Sequence, residues 1–95
     1  MEFTKNLEKR RYETQVEGRW AFIEYLKAKN AIYLTHTEVP PGLEGRGIGT
    51  FLVEEALKDI EAQEQKLAPL CPFVAAYLKR HPEWKRLLAE GYSVG

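Results

Sequence analysis

The feature that most constrains the fold is a stretch rich in glycine and proline, HTEVPPGLEGRGIG, at residues 36–49. Before it, apolar and polar residues alternate, which is typical of a strand. After it, apolar residues recur every fourth position, at Ile48, Leu52, Ala56 and Ile60. This spacing predicts a helix of about five turns over residues 47–65. Glycine at such a strand-to-helix junction either forms a turn or brings bare backbone against a ligand.

The segments before this stretch predict an antiparallel meander of three strands. They cover Arg11–Val16, Arg19–Lys27 and residues 31–39, separated by short turns. In the second strand both alternating faces carry apolar side chains, so we expect each face to be covered. In the third strand, two sets of side chains alternate as in a half-buried strand: Ile32, Leu34 and His36 on one face, and Tyr33, Thr35 and Thr37 on the other.

The segments after the long helix predict a fourth strand and a second helix. The strand covers residues 66–71 and returns parallel to the third strand through a right-handed crossover. Pro72 suits the first turn of a helix over Pro72–Arg80, and residues 83–90 form one or two further turns. The predicted order is β-β-β-α-β-α. This is an α+β (mixed α/β sheet) fold: an antiparallel meander plus one parallel strand, with helices packed on the sheet.

Length and composition limit the possible functions. The 95 residues are enough for one domain, and we expect loosely ordered ends at residues 1–10 and 89–95. Basic and acidic side chains balance at 14 each, which disfavours a nucleic-acid partner. Cys71 is the single cysteine, so we expect no internal disulfide and no metal site. Without a signal-like or membrane-spanning apolar run, we expect a cytoplasmic protein with no membrane partner.

The glycines offer an anion site at the start of the long helix. Their N–H groups would point into one concavity at its positive end, which suits phosphate or pyrophosphate. Arg46 adds a cation and Thr50 adds a hydroxyl group. A P-loop is excluded because Gly49, not lysine, precedes Thr50. A dinucleotide-binding fingerprint is excluded because residue 50 is not glycine or alanine and the preceding strands are antiparallel. The alternative is that the glycines only form a tight turn.

Residues 39–49 resemble the acyl-coenzyme A loop of the GCN5-related N-acetyltransferases, whose motif is similar to V-x-P-x-x-[QR]-G-x-G-[IVL]-[GA]. The length agrees, and Gly45, Gly47 and Gly49 are in register. Glu44 departs from the motif, because it occupies the usual Gln/Arg position. The segments AFIEY, HTEVP, GRGIG and PLCPFVAAYLKRHPEW occur in the order of the small stand-alone YjdJ-type acetyltransferase-like domain. This similarity covers residues 11 to about 88.

The resemblance implies a reduced acetyltransferase core that binds coenzyme A between the third and fourth predicted strands, with the pyrophosphate on the glycine loop. The cofactor-binding residues that it implies are Glu38, Val39, Gly45, Arg46, Gly47, Ile48, Gly49, Thr50, Pro72, Lys79, Arg80 and His81. A carboxylate facing pyrophosphate would be repulsive. We therefore expect Glu44 to point elsewhere and Arg46 to supply the positive charge.

Cys71 and Tyr77 are the candidate catalytic residues. Acyl transfer to an amine needs a polarised carbonyl, a neutral amine and a proton for the leaving thiolate. In the family the backbone N–H near Val39 would polarise the carbonyl. Cys71, before a helix N-terminus, could act as a nucleophile or proton relay, or only pack as a small hydrophobe. Tyr77 resembles the proton-donating tyrosine of larger relatives, or it packs against Phe73.

Other titratable residues have weaker claims to a role. His36 could be a base, although a hydrogen-bonded structural histidine is the better interpretation. Glu24 and Glu38 are further candidate bases. Lys79 and Arg80 could bind the adenosine phosphate of the coenzyme or simply be solvated cations.

These observations predict an acetyl-CoA-dependent N-acetyltransferase. Its acceptor is an amine of a small molecule or a protein, acetylated directly or through an acetylated Cys71. The alternative is a non-catalytic acyl-CoA-binding or protein-interaction module. We expect a monomer or a weak homodimer, the latter through an exposed patch around Trp84.

Overall fold

The computed structural model describes residues 1–95 as a five-stranded sheet with two α-helices. The elements are β1 (Thr4–Asn6), β2 (Arg11–Val16), β3 (Arg19–Lys27), β4 (Ala31–Glu38), α1 (Ile48–Ala62), β5 (Lys66–Pro69), α2 (Pro72–Arg80) and a 3-10 helix (Pro82–Leu87). The strand order is β1-β2-β3-β4-β5, antiparallel except for the parallel β4–β5 pair. The α+β class and the mixed sheet are therefore confirmed.

Strand β1 is an addition to the predicted order, within the N-terminal residues that we expected to be loosely ordered. It pairs antiparallel with β2 and places Phe3 against Tyr12, with ring centroids 5.4 Å apart. The Asn6 side chain also donates a hydrogen bond to Glu13 Oε1 at 3.0 Å. A strand of three residues is too short to show a periodic pattern, so only its partners reveal it.

Helix α1 covers one face of the sheet, and the two meet in a single core of 19 buried residues. A polar network at the edge of this core joins the helix to the first strands. The Tyr12 hydroxyl donates to Asp59 Oδ2 at 2.7 Å, Gln63 donates to the same oxygen, and Lys5 Nζ lies 3.0 Å from it. Burial by itself would raise the pKa of Asp59, but the hydrogen bonds from Tyr12 and Lys5 outweigh it and hold the pKa below its usual value.

The opposite face of the sheet is open, so the expectation that both faces of β3 are covered is wrong. Trp20 and Leu26 are 44% and 49% exposed on this face. The Arg11 guanidinium group lies 4.2 Å from the ring centroid of Phe22 and covers part of it. The patch expected around Trp84 is also absent, because Trp84 packs against the core.

A β-bulge divides β4 into two unlike halves. Leu34 pairs with Tyr25, whereas the next pair is His36 with Glu24, so Thr35 is an extra residue without a partner in β3. The strict alternation predicted for this strand therefore ends at Leu34. Thr37 lies on the same side as α1, and His36 turns to the open face. The pairing of β4 with β5 also ends at Leu34, opposite Pro69.

Candidate active site

The glycine loop ends in a backbone conformation that suits glycine. Gly45 and Gly47 have φ angles of 81° and 76°, in the left-handed region that other residues rarely adopt. Gly47 is the N-cap of α1. Gly49 serves a different purpose, because a Cβ atom there would lie 2.8 Å from the Phe73 ring. Glycine at residue 49 therefore permits close approach of α1 and α2.

The N-terminus of α1 leaves backbone N–H groups without a partner in the helix. No side chain caps it, and no acidic residue lies in its first turn. The first backbone bond of the helix runs from Phe51 N–H to Gly47 O at 2.9 Å. The N–H groups of Ile48, Gly49 and Thr50 thus have no intrahelical acceptor, and they carry the positive end of the helix dipole. This arrangement attracts anions.

A cleft of about 270 Å³ lies against these N–H groups. Six of the predicted cofactor-binding residues line it: Val39, Gly45, Gly47, Ile48, Gly49 and Thr50. Phe73 of α2 also lines the cleft, although the sequence indicated it only as a packing partner of Tyr77. Glu38 and Arg46 do not line the cleft. A larger cavity of about 670 Å³, between Tyr33 and Tyr92 at the other end of β4, contains none of the predicted site residues.

The turn between β2 and β3 and the first residue of β3 contact the glycine loop through two hydrogen bonds that the sequence did not predict. Arg19 donates to the carbonyl oxygen of Pro41 at 2.7 Å, and Arg46 donates to Glu17 Oε2 at 2.5 Å. The hydrogen bond and charge of Arg46 hold the pKa of Glu17 below its usual value. Each pair is more than twenty residues apart in the chain. No local pattern could have identified them.

Cys71 lies where β5 ends and α2 begins. Its side chain is buried, and Sγ is 3.2 Å from the Thr37 hydroxyl oxygen. Its N–H group donates to Leu34 O at 2.9 Å, at the last paired residue of β4. Because of the bulge at Thr35, the thiol and Thr37 meet at the point where β4 and β5 separate. The sequence did not indicate the role of Thr37.

Tyr77 of α2 contacts one side chain of α1 and one at the C-terminal end of its own helix. Its hydroxyl group donates to Glu54 Oε2 of α1 at 2.9 Å, and its ring stacks on His81 with centroids 4.2 Å apart. Burial, followed by the neighbouring Glu54 carboxylate, raises the pKa of Tyr77 to about 12. The phenol therefore stays protonated at neutral pH and is a weak acid.

Of the remaining predicted residues, Pro72 begins α2 next to Phe73 without lining the cleft, and the others fall into two groups away from it. On the open face, His36 Nε2 lies 2.9 Å from Glu38 Oε1, and both side chains are about half exposed. Lys79, Arg80 and His81 lie at the C-terminal end of α2, about 13 Å along the helix axis from Pro72. Only an extended ligand could contact both the cleft and this end of α2.

Two further findings concern the whole chain. No cluster of three or more histidine, cysteine or acidic side chains forms a metal-binding group. Neither helix combines the length and the apolar composition that crossing a bilayer requires.

Comparison with known proteins identifies the family. A family model described as GCN5-related N-acetyltransferase matches residues 11–87. The protein NATD1 of Homo sapiens is 36% identical over 59 residues, which are 62% of this chain and 51% of that relative. NATD1 of Xenopus tropicalis is 34% identical over 59 residues, which are 62% of this chain and 53% of that relative. The aligned part thus spans about half the length of these relatives. Because the family model covers most of the chain, this protein belongs to the GCN5-related N-acetyltransferase family.

Proposed function

We propose that this protein binds acetyl-CoA at the glycine loop and transfers the acetyl group to an amine. The observation that carries the proposal is the uncapped N-terminus of α1, which opens into a cleft lined by glycine backbone. A pyrophosphate group needs several N–H donors and a backbone without side chains in the way. Gly45 and Gly47 leave open space beside the backbone, and Ile48, Gly49 and Thr50 offer free N–H groups, so the residues present fit the pyrophosphate of coenzyme A.

The separation of β4 from β5 supports a position for the reactive end. Beyond Leu34, β4 has a paired neighbour on one side only, so its backbone toward Val39 is available to a ligand. An N–H group there would donate to the thioester oxygen and stabilise the charge that develops on it. Acetyl-CoA supplies the activated acetyl group, and the chain supplies orientation and hydrogen bonds.

The proposal includes two routes for the acetyl group, of which only the covalent one uses Cys71. In the direct route the amine attacks the thioester carbon, and the coenzyme leaves as its thiol. In the covalent route the Cys71 sulfur attacks first, its C–S bond forms as the coenzyme C–S bond breaks, and the coenzyme sulfur takes the proton from Cys71. The amine then attacks the Cys71 thioester and regenerates the thiol. In the covalent route the Thr37 hydroxyl, whose oxygen is 3.2 Å from Cys71 Sγ, orients the sulfur.

Thermal unfolding with coenzyme A tests binding. At one hundred times its dissociation constant, a ligand specific to the folded state adds about 2.7 kcal/mol of stability. Coenzyme A should therefore raise the melting temperature of the wild-type protein, and less so that of Gly47→Val, which fills the loop. No stabilisation at millimolar coenzyme A would contradict the proposal.

Intact-mass measurement after incubation with acetyl-CoA separates the two routes. An added acetyl group on the wild-type protein that is absent from Cys71→Ala indicates the covalent route. Transfer to an amine by Cys71→Ala at the wild-type rate indicates the direct route.

A second candidate function is a non-catalytic acyl-CoA-binding or protein-interaction module. The open sheet face, with Trp20 and Leu26 about half exposed, favours it as a surface for a partner. Stabilisation by coenzyme A without transfer to any amine tested would favour this function over catalysis.

A further inference from the structure

Glu44 is the one residue of the glycine loop that departs from the family motif, and its carboxylate forms a hydrogen bond within the loop. Oε1 accepts a hydrogen bond from Gly42 N–H at 2.8 Å, so the side chain turns back onto its own loop. Glu44 also lines the cleft at the N-terminus of α1. Glu44 thus bonds to its own loop and also belongs to the lining of the cleft that holds the proposed anion site.

The charged side chains around the loop cancel one another. Arg46 pairs with Glu17, and Arg19 donates to a backbone carbonyl oxygen, that of Pro41. The two guanidinium groups and the carboxylates of Glu17 and Glu44 sum to a formal charge of zero. The loop therefore attracts an anion through its backbone N–H groups and the helix dipole, without a surplus of positive charge. An anion that enters the cleft comes near Glu44, a negatively charged residue of its lining.

From this arrangement we infer that Glu44 weakens the binding of the phosphate groups of coenzyme A by charge repulsion. The inference rests on the proposed function. In this view Glu44 has two roles: it accepts a hydrogen bond from Gly42 N–H, and it lowers the affinity of the cleft for coenzyme A. One like charge at a water-rich surface changes a binding constant by roughly fivefold.

The test compares four forms of the full chain by calorimetric titration with coenzyme A: wild type, Glu44→Gln, Glu44→Ala and Glu8→Gln. Glutamine keeps an oxygen that can accept from Gly42 N–H and removes only the charge. Alanine removes both. Glu8→Gln is the matched control, because Glu8 is exposed in the turn between β1 and β2, away from the cleft.

We expect Glu44→Gln to bind coenzyme A roughly fivefold more tightly than wild type at low salt. The gain should fall below about twofold at 0.5 M salt, because screening removes charge repulsion. Glu44→Ala should gain less than Glu44→Gln, since the loop loses a hydrogen bond. Glu8→Gln should match wild type.

Equal or weaker binding by Glu44→Gln at low salt would overturn the inference while leaving the proposed function intact. A gain that persists unchanged at high salt would also overturn it, because a change of loop geometry would then be the cause. If no form binds coenzyme A although circular dichroism shows each to be folded, the proposed function itself fails and the inference fails with it.

Discussion

The two halves of β4 differ although they belong to one strand. Residues 32–34 pair with β3 on one side, residues 31–34 pair with β5 on the other, and Leu34 is fully buried. Residues 35–38 begin with the bulge, pair with β3 only and leave His36 and Glu38 exposed. The first half contributes core packing. The second half provides the free backbone and the side-chain directions on which the proposed site depends.

The largest expected effect is on stability and belongs to the first half. Leu34→Ala removes a fully buried side chain and should lower the free energy of unfolding by about 3 kcal/mol. Thr35→Ala, at the bulge, should lower it by less than about 1 kcal/mol, since its side chain donates only one exposed hydrogen bond, to Glu24 O. Urea unfolding of both variants measures the difference. Equal losses would show that the two halves do not differ as described.

The next effect concerns the glycine loop that continues the second half. Gly49→Ala should cost about 1–2 kcal/mol, because the Phe73 ring must move away from the new Cβ atom. Gly47→Ala should cost about 1 kcal/mol through its positive φ, although its surroundings are open. Adding Phe73→Ala should reduce the cost of Gly49→Ala and leave that of Gly47→Ala unchanged. A double-mutant cycle by urea unfolding measures the coupling free energy between residues 49 and 73. A coupling of zero would contradict the contact between Gly49 and the Phe73 ring.

A third effect contrasts an ion-pair network at the core with an exposed pair on β4. The folded-state pKa of Asp59 lies below its unfolded value, so its stabilising contribution is present above about pH 4 and is lost as pH falls through the folded pKa. Asp59→Asn should remove about 1 kcal/mol at neutral pH and flatten the loss of stability in acid. Both effects are measured by comparing the unfolding free energies of wild type and Asp59→Asn between about pH 2 and 7.

Glu38→Gln is the comparison for that experiment. The His36–Glu38 pair is half exposed, so we expect a change within about 0.5 kcal/mol. If the unfolding free energy of Asp59→Asn falls with pH in the same way as that of wild type, the Asp59 network does not stabilise the fold as described.

The smallest effect is expected at the link between the β2–β3 turn and the loop. Glu17→Gln breaks an ion pair whose side chains are about half exposed and screened by water, and should leave the urea midpoint close to that of wild type. Chemical denaturation measures the midpoint. A loss of stability as large as that of Leu34→Ala would mean that the loop depends on this pair for its fold.

The sequence predicted the elements whose pattern is local. β2, β3 and α2 have the predicted bounds, and α1 follows the fourfold recurrence of apolar residues. The bulge at Thr35 was not predictable, because it is defined by pairing with β3. It moved Thr37 to the side of Cys71 and His36 to the open face. The contact of Gly49 with Phe73 likewise depends on how two helices pack. The loop motif therefore indicated the position of the candidate site, and the tertiary structure determined which side chains meet there.

Coenzyme A titration followed by amide resonances of the glycines tests the central claim, that the glycine loop binds the coenzyme through its backbone. We predict that the amides of Gly45, Gly47 and Gly49 shift together and saturate with one dissociation constant. Gly91, next to Glu90 and Tyr92 of the larger cavity at the other end of β4, should not shift. Shifts confined to Gly91 and its neighbours, with the loop glycines unmoved, would contradict the account.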